Sequence, residues 1–106
     1  MFFGLRYDLR NPPQWHQPFE LKYAQFLTQV EWADRNGFDL VGLTEHHFVE
    51  DGFMPSPLLL AAAVAARTNR VRINLGVMLL PLKHPVQVAE EAALVDIISG
   101  GRLDMA

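Results

Sequence analysis

Four short apolar runs, each separated from the next by a stretch long enough for a helix, constrain this chain more than any single motif. They begin near Phe2, Asp39, Val71 and Arg102, and a strand, crossover helix and returning strand need roughly 30 residues or more. Phe2 to Tyr7 reads as a first strand, followed by the polar, proline-containing loop "DLRNPPQWHQP". From Glu20, the positions Tyr23, Phe26, Leu27, Val30 and Ala33 recur at helical spacing, and Gly37 supplies a stop. Phe38 to Leu43 reads as a second strand. After the loop "TEHHFVEDGFMP", Ser56 is the expected N-cap of a helix with Pro57 at its first position, running to about Asn69. "VRINLGVMLLP" reads as a third strand with Gly76 inside it, where glycine suggests a bulge or close approach of another group. Pro85 opens a third helix with Val88, Ala89, Ala92, Val95, Ile97 and Ile98 as expected buried positions. "SGG" ends that helix, and "RLDMA" begins a fourth strand.

Apolar strands joined by crossover helices imply a parallel sheet covered by helices. A doubly wound nucleotide-binding fold needs a glycine-rich turn after its first strand, and here that turn is "DLRNPP", without glycine. A (β/α)₈ barrel makes no such demand and places its chemistry on the loops after the strands. The pattern therefore favours the N-terminal half of a (β/α)₈ TIM barrel, with three βα units and the start of a fourth strand. A whole barrel takes about 250 residues, so residues 1–106 are expected to be one partial domain, with the C-terminal half of the barrel absent.

Composition removes several classes of function. The net charge is −3 without a basic run, which argues against a nucleic-acid or anionic-membrane surface. There are no cysteines, hence no disulfide, thiolate metal site or cysteine nucleophile. The apolar stretch "FMPSPLLLAAAVAA" is too short to span a bilayer and is broken by prolines. The expectation is a soluble, cytoplasmic protein without a signal peptide.

Chemistry concentrates at "TEHHF", where Glu45, His46 and His47 follow a strand. Adjacent strand residues point to opposite faces, so both imidazoles meet one ligand only if the backbone turns between them. Either histidine also has an ordinary reading as a loop hydrogen-bonding residue. Metal binding is not expected, since the histidines lack an i, i+4 helical pair and His16 and His84 lie in other loops. No G-x-S-x-G is present, and Ser56 and Ser99 read as cap and turn residues. Acid–base or hydrogen-bonding chemistry remains, with Glu45 able to orient an imidazole that titrates near neutrality.

Taken in order, Gly37-Phe38-Asp39, Glu45-His46-His47-Phe48, the Thr68 to Gly76 stretch, Leu80-Pro81, His84-Pro85, Ala89-Glu90, Asp96 and Ser99-Gly100-Gly101-Arg102 resemble the N-terminal part of the bacterial luciferase-like flavin monooxygenases. That resemblance implies oxygen insertion into an organic substrate through a peroxyflavin, using O2 and reduced FMN delivered by a separate flavin reductase. It implies that His46 stands beside the reactive flavin edge and assists proton transfer, with His47 and Glu45 in supporting or substrate-side roles. Gly76-Val77 matches a bulge that in relatives often holds a non-prolyl cis peptide against the isoalloxazine. The EHHF form favours FMN over the coenzyme F420 of related oxidoreductases. Relatives pair through helices near the second and third strands, so a homo-oligomer is expected. In the family "SGGRL" leads toward a glycine-rich strand end, whereas here it is followed by "DMA". The flavin phosphate grip is expected beyond Ala106, and the chain alone is expected to be inactive. A non-catalytic flavin-binding or dimerising half-barrel module is the alternative.

Overall fold

The computed structural model describes residues 1–106. In chain order it contains β1 (Gly4–Tyr7), α1 (Phe19–Arg35), β2 (Leu40–Leu43), α2 (Pro57–Arg67), β3 (Arg72–Leu75), α3 (Pro85–Ser99) and β4 (Leu103–Met105). Short 3₁₀ turns lie at Pro13–Trp15 and Leu80–Leu82. The sheet is parallel throughout, in the order β1-β2-β3-β4. This unbroken sequential order separates the two architectures left by the sequence. A doubly wound sheet reverses its strand order at a switch point, and no reversal occurs here. The four strands and three helices are a segment of a (β/α)₈ barrel.

The register places Arg6, Gly42, Asn74 and Asp104 side by side across the sheet, and likewise Tyr7, Leu43, Leu75 with Met105. Because strand side chains alternate, these two rows face opposite ways. Val41, Leu43, Ile73 and Leu75 are fully buried and join Phe26 and Val30 of α1, Ala61 and Val64 of α2, and Val88 and Val95 of α3 in one core. Tyr7 meets Phe26 edge to face, with ring centroids 4.7 Å apart. The other face carries Arg6, Asn74, Arg72 and Asp104, and Arg72 Nε donates to Asp104 Oδ2 at 2.6 Å. In a closed barrel this polar face is the interior.

Several expectations shift. The strands are shorter than the apolar runs, and β3 ends at Leu75, so Gly76 lies just beyond the strand. Its N–H still donates to Leu43 O at 3.0 Å, extending the ladder by one bond. Ser56 precedes Pro57 as expected, but its hydroxyl makes no capping bond. Its N–H donates instead to Met54 Sδ. Ile97 and Ile98 are exposed, Ile97 by 75%, and Ala89 is exposed too. Helix α3 buries a narrow stripe through Val88 and Val95, while its second apolar stripe faces outward.

One buried carboxylate fixes the entry to β3. Asp34, in the last turn of α1, accepts backbone N–H bonds from Asn69 (3.0 Å), Arg70 (2.7 Å) and Val71 (2.8 Å). Burial pushes its pKa up, but these donors outweigh burial and hold it below the usual carboxylate value. A depressed folded pKa contributes stability that is present above the unfolded value near 4 and lost as pH falls through the folded one. Asp34→Asn is therefore expected to cost about 2 kcal/mol at neutral pH and to flatten the acid limb of stability. Urea unfolding between about pH 7 and pH 2 measures both effects.

Candidate functional site

The site grows from the C-terminal ends of adjacent strands. Thr44, directly after β2, is tied to β1 by its N–H and its Oγ1, both donating to Tyr7 O at 3.3 and 3.2 Å. The extended alternation then continues for three more residues. Glu45 and His47 turn one way, and Thr44 and His46 the other. The backbone reverses at Phe48, a non-glycine residue with φ of 55°, and returns through Gly52, where φ is 66°. This φ favours glycine, and a Cβ on Gly52 would sit 2.5 Å from Phe19 Cζ and displace that ring.

His46 is exposed on the polar face. Its ring meets Phe53 edge to face at 4.6 Å and 89°. With Arg6, Asp8, Thr44 and Phe53 it lines a cavity of about 300 Å³. A neighbouring cavity of about 230 Å³ runs along Arg6, Gly42, Asn74 and Gly76. Arg6 is common to both, and its Nη2 donates to Gly76 O at 3.0 Å. The Gly76–Val77 peptide bond is cis. A Cβ on Gly76 would lie 2.6 Å from Asn74 Oδ1, so the absent side chain leaves room for the Asn74 amide to lie against the backbone here.

Glu45 lies on the opposite side, 1% exposed. Its Oε1 accepts from His47 Nε2 at 2.6 Å and from Lys83 Nζ at 2.8 Å, and its Oε2 accepts from the Leu79 N–H at 3.0 Å. Burial raises the Glu45 pKa, but the bonds from Lys83, His47 and Leu79 prevail and keep it below the ordinary range. A carboxylate so fully engaged is a fixed anion and has no free lone pair aimed at the polar face.

Of the residues singled out in the sequence, His46 and Gly76 thus border two neighbouring cavities that share Arg6 on the polar face. Glu45 and His47 face away and bond to each other. His84 stands before α3 as an exposed loop residue without a side-chain cap bond. Arg6, Asn74, Phe53 and Lys83 were not singled out. Arg6 and Asn74 carried a signal, since alternation in "GLRY" and "RINL" sets them opposite the apolar residues. Lys83 carried none, being 38 residues from Glu45.

The profile of the family described as luciferase-like monooxygenase matches residues 3–106. The chain belongs to this family. The alkanal monooxygenase alpha chain of Photorhabdus luminescens is 36% identical over 102 residues, 96% of this chain and 28% of the relative. The oxygenase component of the flavin-dependent trigonelline monooxygenase of Acinetobacter baylyi is 39% identical over 83 residues, 78% of this chain and 23% of the relative. Among solved structures, the oxygenating constituent of 3,6-diketocamphane monooxygenase from Pseudomonas putida, a type II Baeyer–Villiger monooxygenase in complex with FMN, superposes with a TM-score of 0.87 at 26% identity. That match covers 99% of this chain and 28% of the solved one. The chain spans about a quarter of the length of the curated relatives it matches. No helix is long and apolar enough to cross a membrane.

Proposed function

We propose that residues 1–106 form the flavin-edge face of a reduced-flavin-dependent monooxygenase, with FMN as cofactor, O2 and an organic molecule as substrates, and a flavin reductase as partner. The observation that supports it most is the convergence of Arg6, His46 and the Gly76 backbone on one polar face, at the C-terminal ends of β1, β2 and β3. The residues present fit a flat heteroaromatic ring. Gly42 and Gly76 add no side chains of their own to a cavity that Arg6 and Asn74 also line, and Arg6 offers guanidinium donors beyond the one given to Gly76 O.

When bound, reduced FMN supplies the electrons for oxygen activation. The Gly76–Val77 backbone would hold the ring, and His46 would exchange a proton at its imidazole. Phe53 restricts the tilt of that imidazole, while His47 and Glu45 support the loop from behind. FMN is favoured over F420 because the 3,6-diketocamphane relative holds FMN.

Titration with FMN of an oxygenase that carries residues 1–106, followed by flavin fluorescence, tests the reading. Saturable binding is expected, and Gly76→Val should weaken it about tenfold or more with unchanged circular dichroism. Absent binding, or binding indifferent to the valine, would overturn it.

A second observation supports self-association. Between α2 and α3 lies an apolar groove of about 370 Å³ lined by Leu58, Leu59, Ala62, Leu94, Val95 and Ile98. Leu59 is 74% exposed. Apolar area of this kind suits a second copy of the chain.

A further inference from the structure

We propose that Lys83 is a positioning residue, acting through buried Glu45 as a latch that holds the loop after β3 against the loop after β2. Leu79 and Lys83 bracket the 3₁₀ turn Leu80–Leu82, and Glu45 grips both ends of it. Oε2 takes the Leu79 N–H and Oε1 the Lys83 ammonium. The turn is itself braced, since the Leu80 N–H donates to Met78 O and the Lys83 N–H to Leu80 O, both at 3.0 Å. It therefore transmits position to Met78 and to the Gly76–Val77 peptide just before it. On the other side, Glu45 is the residue immediately before His46, and His47 clamps the same carboxylate oxygen. Any slide of one loop past the other would leave a fully buried carboxylate short of a donor, which the low-dielectric interior strongly disfavours.

The latch works from behind the sheet. The Arg6 bond to Gly76 O acts on the polar face, and its guanidinium is exposed. The Lys83 ammonium is largely covered, with its side chain 22% exposed. The spacing between the His46 imidazole and the Gly76–Val77 backbone is thus set mainly by groups that no ligand touches. That this spacing matters for flavin rests on the function proposed above, whereas the latch itself does not.

Amide hydrogen exchange and ¹H–¹⁵N NMR on K83M, K83R and E45Q test it, together with titration by oxidised FMN of an oxygenase carrying residues 1–106 and the same substitutions. K83M is expected to lower protection of the Leu79 amide and to shift the His46, Gly76 and Val77 resonances, with protection at Val30 and Val64 retained. FMN affinity should fall about tenfold, K83R should restore most of both, and E45Q should reproduce K83M. The proposal is overturned if K83M leaves those resonances and exchange rates unchanged, or if protection falls evenly across core and loops. An oxygenase carrying residues 1–106 that fails to bind FMN would sink the proposed function, while the exchange pattern would still decide for or against the latch.

Discussion

Arg102→Met is expected to destabilise the chain by roughly 3–4 kcal/mol, the largest stability loss among its surface-reaching residues. Arg102 lies between α3 and β4, and its guanidinium reaches back across the bottom of the sheet. Nη1 donates to Thr68 Oγ1 and Val71 O, both at 2.8 Å, and Nη2 donates to Thr68 O at 2.9 Å and Ala65 O at 3.1 Å. Nε donates to Ser99 O. Ala65 and Thr68 belong to the end of α2, whose last carbonyls have no partner within the helix and where a cation also suits the dipole. Methionine keeps the stem and removes every donor, leaving these carbonyls stranded around a site too closed to hydrate them fully. Individual charge-assisted bonds of about 1.5–3 kcal/mol do not add within one network, hence the figure above. For a domain of this size it lowers the melting temperature by roughly 15 °C or more. Arg102→Lys should recover only part, because an ammonium cannot fork toward separate carbonyls. Thermal melts followed by circular dichroism read the effect, and a loss below about 1 kcal/mol would contradict the role given to Arg102.

That network also shows where sequence pattern stops being informative. The strands and helices were legible because each must bury one face, and burial imprints periodicity: Val41 with Leu43, Ile73 with Leu75, and Phe26, Val30 and Ala33 along α1. The choice of a barrel over a doubly wound sheet was legible from a missing glycine turn, and the strand order agrees with it. Long-range polar bonds leave no such imprint. Nothing local in "SGGRL" indicates that Arg102 bonds residues 31–37 positions away. The same holds for Asp34 with Asn69 to Val71, and for Glu45 with Lys83. Periodicity also misled where an element has two apolar stripes. Ile97 and Ile98 matched a core pattern, yet one helix face can meet the sheet and α2 while the other remains outside.

At the site, alternation beyond the end of β2 was the informative signal. It predicted that His46 and His47 diverge, and they do. The roles proposed for them differ accordingly, and the difference yields the largest expected functional effect. In an oxygenase that carries residues 1–106, His46→Ala is expected to lower coupled product formation about 10²–10⁴-fold, the range for loss of a positioned acid–base group. Its melting temperature should scarcely move, because the residue is exposed and its ring meets Phe53 edge to face. His47→Ala should show the opposite balance. It removes one of the three donors held by buried Glu45, costing about 1 kcal/mol of stability, and lowers turnover by less than tenfold. The comparison needs both readings on both variants, with reduced FMN supplied by a reductase and product measured against flavin oxidised. Equal losses of turnover would mean that the imidazoles act together despite facing apart. A large loss from His47 alone would move the chemistry to the wrong side of the sheet and refute the assignment of His46.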